Sequence, residues 1–352
     1  MSIFVDIEKT LGNFRLKVAF EAGNETLALL GASGSGKSMT LKCIAGIETP
    51  DRGRIVVDDV VLFDSEKHIN LTPQRRHTGL MFQNYALFPN MTVLQNIRAG
   101  ANREPDKRKR EAAVAAVMDS FDLAPLANHL PSQLSGGQQQ RTALARILVS
   151  NPRILLLDEP FSALDNHLRF RLEQEVRQTI AEFGKTVLLV SHDRDEVFRL
   201  ADSIAVVNSG TIDAFGTKAE VFRNPQTRMG AMLTGCKNLS AIEVLDSTHI
   251  RAVDWDMTLE VPDIPADTKA VGIRMHDIRA GQGKNCFRCR VAGEIENPFS
   301  YTVMLRASPS AVPVGWEMNK EIWQELRAEQ VDICLPPEAL LLLKDETKEV
   351  VK

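Results

Sequence analysis

The run Gly31-Ala32-Ser33-Gly34-Ser35-Gly36-Lys37-Ser38 constrains this chain more than any other feature. It fits the spacing G-x-x-x-x-G-K-[ST], and it stands between a strand-like run, LALL, and a helix-like run, KSMTLKCIAG. The physics of such a turn is anion binding. Glycines let the backbone wrap a phosphate with its N–H groups pointing inward, and the helix start adds positive potential. Lys37 supplies a point charge to β- and γ-phosphates, and the Ser38 hydroxyl is positioned for Mg²⁺. Gly31, Ser33, Gly34, Gly36, Lys37, Ser38 and Met39 are therefore the first candidate ATP-binding residues.

A strand that feeds a phosphate loop and a helix requires a sheet covered by helices, and the first two-thirds of the chain supply one. RILLLDE, TVLLVSH and SIAVVNSG are continuous apolar runs, as strands buried on both faces should be. Helix-length segments such as QQQRTALARILVS and NHLRFRLEQEVRQTIAEFG lie between them, and the charged REPDKRKREAAVAAVMDSF reads as a solvent-facing helix. After about Leu233 the texture changes to short strand-like runs, among them AIEVLDS, KAVGIRM, CFRCRVAGEI and YTVMLRAS, with a short helix expected around WEMNKEIWQEL. The expected division is an α/β domain over 1–234 and a small all-β, barrel-like domain over 235–352, since closing a sheet removes its exposed edges.

Composition excludes several classes. Forty-two basic residues against 46 acidic ones give a net charge of −4, which argues against a general nucleic-acid binder. No stretch approaches the ~18 apolar residues of a membrane span. Asp6 and Glu8 interrupt the run that a signal peptide needs, so the expected compartment is the cytosol. The five cysteines show no framework spacing. Cys286 and Cys289 form a C-x-x-C, but no second pair completes a zinc site. They read as structural thiols on a strand.

A second chemical element is ILLLDEP. Asp158, at the end of a buried strand, is placed to hold Mg²⁺, and Glu159 beside it can accept the proton of an attacking water. Acid pairs at strand ends are common. Coupled to the phosphate loop this one gains weight, because parallel strands deliver their C-terminal ends to one edge of a sheet.

The third element is Leu134-Ser135-Gly136-Gly137-Gln138, which opens the helix just upstream of ILLLDEP. Here the sequence resembles the nucleotide-binding subunits of ABC transporters, over essentially the whole chain. Gln83 in MFQNYALFP looks like the Q-loop glutamine, Ser162-Ala163-Leu164-Asp165 like the D-loop, and His192 in VSHDRDE like the switch histidine. The resemblance implies a P-loop ATPase with a mixed sheet and helical subdomain, followed by an oligonucleotide-fold-like (OB-like) or molybdate-domain-like barrel. It implies Glu159, His192, Gln83 and Lys37 as catalytic residues, and Ser38, Gln83 and Asp158 around Mg²⁺. It also implies a homodimer in which Ser135, Gly136, Gly137, Gln138 and Asp165 of one copy complete the ATP site of the other. Phe14, in LGNFRL, is the candidate for stacking on adenine, with core packing as the competing reading.

An ATPase chain followed by a small β domain resembles bacterial importer subunits, which work at the cytoplasmic face of the membrane on separate permease chains. Such systems are served by a periplasmic or lipid-anchored solute-binding protein; no nucleic-acid partner is implied. Tyr85, Leu87 and Phe88 are candidates to receive a permease loop, or else core residues. The compressed hairpin KTLGNFRLKVAFEAG and the tail from TGCKNLSAIEV resemble the molybdate/sulfate branch. A ferric-iron or polyamine importer is the alternative, and a soluble non-transport ABC ATPase is disfavoured because neither tandem cassettes nor a long coiled-coil insertion is present. In the tail, Met275-His276 replaces a usual Pro-Glu, and Lys237 with Asn238 forms a candidate oxyanion site against a purely structural reading.

Overall fold

The computed structural model describes residues 2–162 and 166–345. The chain divides into two compact units at Lys218/Ala219. This lies upstream of the expected 234/235 boundary, for a packing reason. The helix Arg228–Leu233 belongs to the second unit, where Ala231 joins Cys236, Ala270 and Leu343 in one small buried cluster. Arg274 ties the same region together by donating to the Phe222 carbonyl and to Thr234 Oγ1.

The first unit holds two sheets. A six-stranded sheet runs Thr211–Thr217, Ser203–Asn208, Thr26–Leu30, Val187–Ser191, Ile154–Asp158, Thr78–Met81 in spatial order. Its last five strands are parallel, and only Thr211–Thr217 is antiparallel. Every residue of Thr26–Leu30, Ile154–Asp158 and Val187–Ser191 is buried. That is why these strands read as unbroken apolar runs rather than alternating ones. The other sheet is antiparallel and five-stranded, in the order Phe14–Ala22, Ile3–Leu11, Arg52–Val57, Val60–Asp64, Ile69–Asn70. Strand Phe14–Ala22 alternates buried and exposed residues, and its inward Leu16, Val18 and Phe20 join Leu41, Ile44, Leu156 and Leu188 in one core.

A helical subdomain carries its own core: Val93, Ile97, Val114, Met118, Leu134 and Ala145 meet from the helices Val93–Gly100, Lys107–Ser120 and Gly136–Leu148 and the loop before the last. Lys107–Ser120 buries only Val114 and Met118, as its charge content requires.

The second unit is all-β and OB-like. Two curled antiparallel sheets of five strands share one core that contains Trp255, Trp316 and Trp323. The expected helix is shorter than its pattern: Val314–Asn319 is a strand, and only Lys320–Leu326 is helical. The cysteine reading needs correction. Cys286 and Cys334 sit directly opposite on paired strands and are disulfide-bonded, while Cys289, like Cys43 and Cys236, is a buried free thiol. Strand register, invisible in C-x-x-C spacing, made the true pair.

Candidate active site

The phosphate loop lies between the strand Thr26–Leu30 and the helix Lys37–Ala45. Gly36 caps that helix at φ 108°, and a side chain there would run into Leu16 and the Phe14 ring. Only glycine meets both demands. Lys37 is buried and donates through Nζ to the carbonyls of Gly31 and Ala32, both at 2.8 Å. Its ammonium is thereby held under the loop, where a phosphate's charge is received. Desolvation by burial lowers the Lys37 pKa, and the nearby Glu159 and Asp158 charges oppose that shift. Ser33 and Gly34 are exposed at the turn, and Met39 packs on the core behind it. The half-buried Phe14 touches the same core and flanks Gly36, so it sits beside the loop while also serving as packing.

The far end of the helix is fixed by a residue the sequence did not flag. Arg76 is 1% exposed. It donates to the carbonyls of Cys43 and Ile44, in the last turn, as well as to Leu71 O and Asn70 Oδ1. These bonds supplement the Gly46 N–H, which also bonds the Cys43 carbonyl, in capping carbonyls that a helix end exposes. Gly46, at φ 81°, ends the helix because Arg76 fills the space a Cβ would need.

Asp158 ends the strand Ile154–Asp158, separated from Thr26–Leu30 by Val187–Ser191, and Glu159 follows it at the switch from buried strand to loop. Ser38 donates its hydroxyl to Asp158 Oδ1 at 2.7 Å. Burial raises the Asp158 pKa most strongly; the Ser38 hydrogen bond opposes this and the Glu159 charge adds to it. Glu159 adopts φ 45°, a conformation uncommon outside glycine, and its N–H bonds the Val190 carbonyl at 3.0 Å. This kink turns its carboxylate toward two side chains from separate elements. Gln83 Nε2 donates to Oε2 at 3.3 Å, and His192 Nδ1 lies 3.2 Å from Oε1. Gln83, Glu159 and His192, far apart in sequence, thus meet at one carboxylate. Ser162 donates to the Glu159 carbonyl at 3.0 Å. Asp165 lies outside the described residues.

The segment carrying His192 is braced from below. Ser191 donates to Glu196 Oε2 at 2.7 Å and accepts from the Asp193 N–H, and Asp193 caps the helix Arg194–Leu200.

Ser135 caps the helix Gly136–Leu148 through a reciprocal pair. Its hydroxyl accepts from the Gln138 N–H, and its own N–H donates to Gln138 Oε1 at 2.8 Å. Gly137 is buried against Leu172. Two further residues tie this helix to its surroundings. Gln140 donates to the Pro160 carbonyl, just after Glu159. Arg146 donates to the carbonyls of Ala86 (2.7 Å) and Tyr85 (3.0 Å), and its guanidinium lies 5.2 Å from the Phe88 ring centre. The turn after Gln83 is also held by Asn96, fully buried, which bonds Phe88 at both N–H and carbonyl and also the carbonyls of Met91 and Thr92. Nothing in the residue pattern marks Arg146. Asn96 was legible as a polar residue beside Ile97 on the apolar face of a short helix.

Tyr85 is buried, Leu87 is half-buried, and Phe88 is 46% exposed. Phe88 lines a groove of about 690 Å³ with Phe82, Met91, Arg103 and Arg146. In the second unit the Asn238 side chain is engaged within the fold. Its side chain accepts from Gly315 N–H at 2.8 Å and donates to Gly315 O at 2.7 Å, pinning one sheet to the other. Lys237 remains exposed beside it without that amide as a co-donor.

A sequence profile described as ABC transporter matches residues 15–162. The chain is 41% identical over 221 residues to the molybdenum import ATP-binding protein of Rhodospirillum rubrum, covering 63% of this chain and 60% of that protein. It is 39% identical over 285 residues to the sulfate/thiosulfate import ATP-binding protein of Rhodopseudomonas palustris, covering 78% and 80%. The spermidine/putrescine import ATP-binding protein of Bacillus anthracis is 43% identical over 217 residues, covering 61% and 64%. The alignment therefore spans less than two thirds of the molybdenum and polyamine relatives. Among solved structures, a dimeric ATP-binding cassette in a post-hydrolysis state, bound to ADP and Pi, superposes with a TM-score of 0.52 at 28% identity. That match covers 62% of this chain and 99% of the cassette.

Proposed function

Since this chain belongs to the ABC transporter ATP-binding proteins, we propose that it is the ATP-hydrolysing subunit of an oxyanion importer, driving molybdate or sulfate through a separate membrane permease. The observation that carries the hydrolytic part is the convergence of Gln83 and His192 on the Glu159 carboxylate, next to the Lys37 loop and the Ser38–Asp158 pair.

The chemistry follows from that placement. The loop's N–H groups and Lys37 bind the β- and γ-phosphates, so the leaving group's growing charge meets a fixed cation. Glu159 takes the proton of the attacking water, and Gln83 and His192 hold its carboxylate at two different oxygens so that it points one way. The Ser38 hydroxyl and the Asp158 carboxylate are hard oxygen donors 2.7 Å apart, a set that fits Mg²⁺ together with nucleotide oxygens and the Gln83 side chain. Held there by Ser38 and Asp158, Mg²⁺ would neutralise phosphate charge. The signature helix start, shaped by Ser135, Gly136, Gly137 and Gln138, is the second half of the site. In the proposed homodimer it faces the γ-phosphate held by the other copy's loop, with Asp165 near the seam and Phe14 beside the adenine.

The groove at Phe88 would receive a permease loop, and Arg146 would report its occupancy to the signature helix. No helix among the described residues is long and apolar enough to cross a membrane, which suits a subunit at the cytoplasmic face that borrows its path from partner chains. Delivery by a solute-binding protein outside completes the proposed system. For sulfate, cargo is supported by reach: similarity to the sulfate relative extends over 285 residues, whereas the molybdenum and polyamine relatives match over 221 and 217. That polyamine relative, at 43% identity, keeps polyamine import as the second reading. Uptake of labelled molybdate, sulfate and spermidine in a strain lacking this gene separates them. Loss of molybdate or sulfate uptake is expected; loss of spermidine uptake alone would favour the second reading.

A further inference from the structure

The second unit carries a concentration of positive charge that nothing above uses. On the outer face of strand Cys286–Glu296, Arg288 and Arg290 stand two residues apart, and both are exposed. Strand register places Arg306 directly opposite Arg290 on one side and Gln330 opposite it on the other. Two like charges facing each other across a strand pair are destabilising, and folded chains normally interleave an acid. Here they do not. Among the described residues no carboxylate lies within ion-pair distance of Arg290 or Arg306. Arg306 donates only to the Pro309 carbonyl, and Arg288 bonds Gln330 at 2.9 Å with Asp332 no nearer than 3.9 Å. Other arginines of the same unit are neutralised: Arg327 by Glu294 at 2.8 Å and Arg251 by Asp256 at 3.2 Å. Arg290 and Arg306, together with the Asp332-paired Arg288, line one groove of about 600 Å³ that also offers Ser308 and Gln330.

We propose that this groove is a binding site for a small polyanion bearing two or more phosphate or carboxylate groups. Neighbouring strands stand about 4.8 Å apart, and residues two apart on one strand about 7 Å apart. Cations on such a grid match several linked anionic groups better than one tetrahedral ion. Guanidinium forks suit both phosphate and carboxylate, and their charge lies in a chain whose net charge is −4.

The test is calorimetric titration of the full chain carrying Lys37→Ala, so that phosphate binding at the catalytic loop does not intrude. Tripolyphosphate and citrate are the probes, with sulfate as the single-ion comparison. The expected result is one site per chain for at least one of the two polyanions, at least tenfold tighter than sulfate. Tripolyphosphate binding without citrate would identify a phosphate ligand, and the reverse a polycarboxylate. Adding Arg290→Ser and Arg306→Ser should weaken binding at least tenfold without lowering the unfolding midpoint, because the change relieves like-charge opposition. Arg251→Ser should leave binding within twofold. Absence of binding by both polyanions at millimolar concentration, or binding unchanged by the double substitution, would overturn the proposal.

Discussion

At the residue scale, the candidate site works because charged groups are held where water is scarce. Burial raises the Asp158 pKa and lowers that of Lys37, each mainly through desolvation. Asp158 therefore takes up a proton at a higher pH than an ordinary carboxylate, and Lys37 loses its proton at a lower pH than an ordinary lysine. ATP turnover, followed as kcat/KM against pH, should fall at both limits sooner than free side chains would. The same shift has a stability sign. A carboxyl whose folded pKa is raised favours the folded state while protonated, and that contribution is lost as pH rises through the shifted range. Asp158→Asn should therefore raise the unfolding midpoint of the nucleotide-free protein at neutral pH, by about 1–4 °C, while abolishing ATP hydrolysis. A lowered midpoint would contradict it. Arg76→Ala removes four hydrogen bonds from a buried site, including those to the Cys43 and Ile44 carbonyls of the phosphate-loop helix, and should cost about 3 kcal/mol or more in denaturant unfolding. Arg76→Lys should not rescue it, because an ammonium cannot span four acceptors set around a planar fork.

At the element scale, the sequence was most readable where one interaction dominates. TLALL, ILLLD and VLLVS announce themselves because burial on both faces demands unbroken apolar runs. The phosphate loop is legible because glycine spacing, a lysine and a following helix leave little alternative. The bond between signature helix and the turn after Gln83 was not legible, because Arg146 looks like any basic residue near a helix end. Its role appears only when two elements are brought together. If that link carries the permease's signal, Arg146→Ala should leave basal ATPase of the isolated subunit within a fewfold range. Its stimulation by the reconstituted permease should fall by about tenfold. Equal loss of basal and stimulated rates would instead mark Arg146 as a fold-stabilising residue. The disulfide was missed for a related reason: Cys286 and Cys334 are neighbours by strand register and strangers in sequence.

At the scale of the whole molecule, the two units answer to different parts of the sequence. The first was nearly specified by its motifs, whose order fixes which strand ends share an edge. The second was recognisable only as β-rich. Its boundary lies earlier than the change of texture after Leu233, because the short helix Arg228–Leu233 packs in the second unit through Ala231. Asn238, a candidate oxyanion contact set against a structural reading, joins two sheets through Gly315. Polar residues near a domain entrance serve structure or ligand equally well by pattern, and only the position of Gly315 decides. In the proposed homodimer the site is half a machine, with the signature helix start and the phosphate loop each one wall of an ATP site. The central claim is that Glu159 is the hydrolytic base of that paired engine. The most direct measurement is light scattering on Glu159→Gln with ATP and Mg²⁺, alongside its rate of phosphate release. Hydrolysis should drop by about a hundredfold or more while the chain shifts from monomer to a stable dimer that ADP does not support. A variant that hydrolyses ATP at the parental rate, or one that binds ATP and stays monomeric, would contradict it.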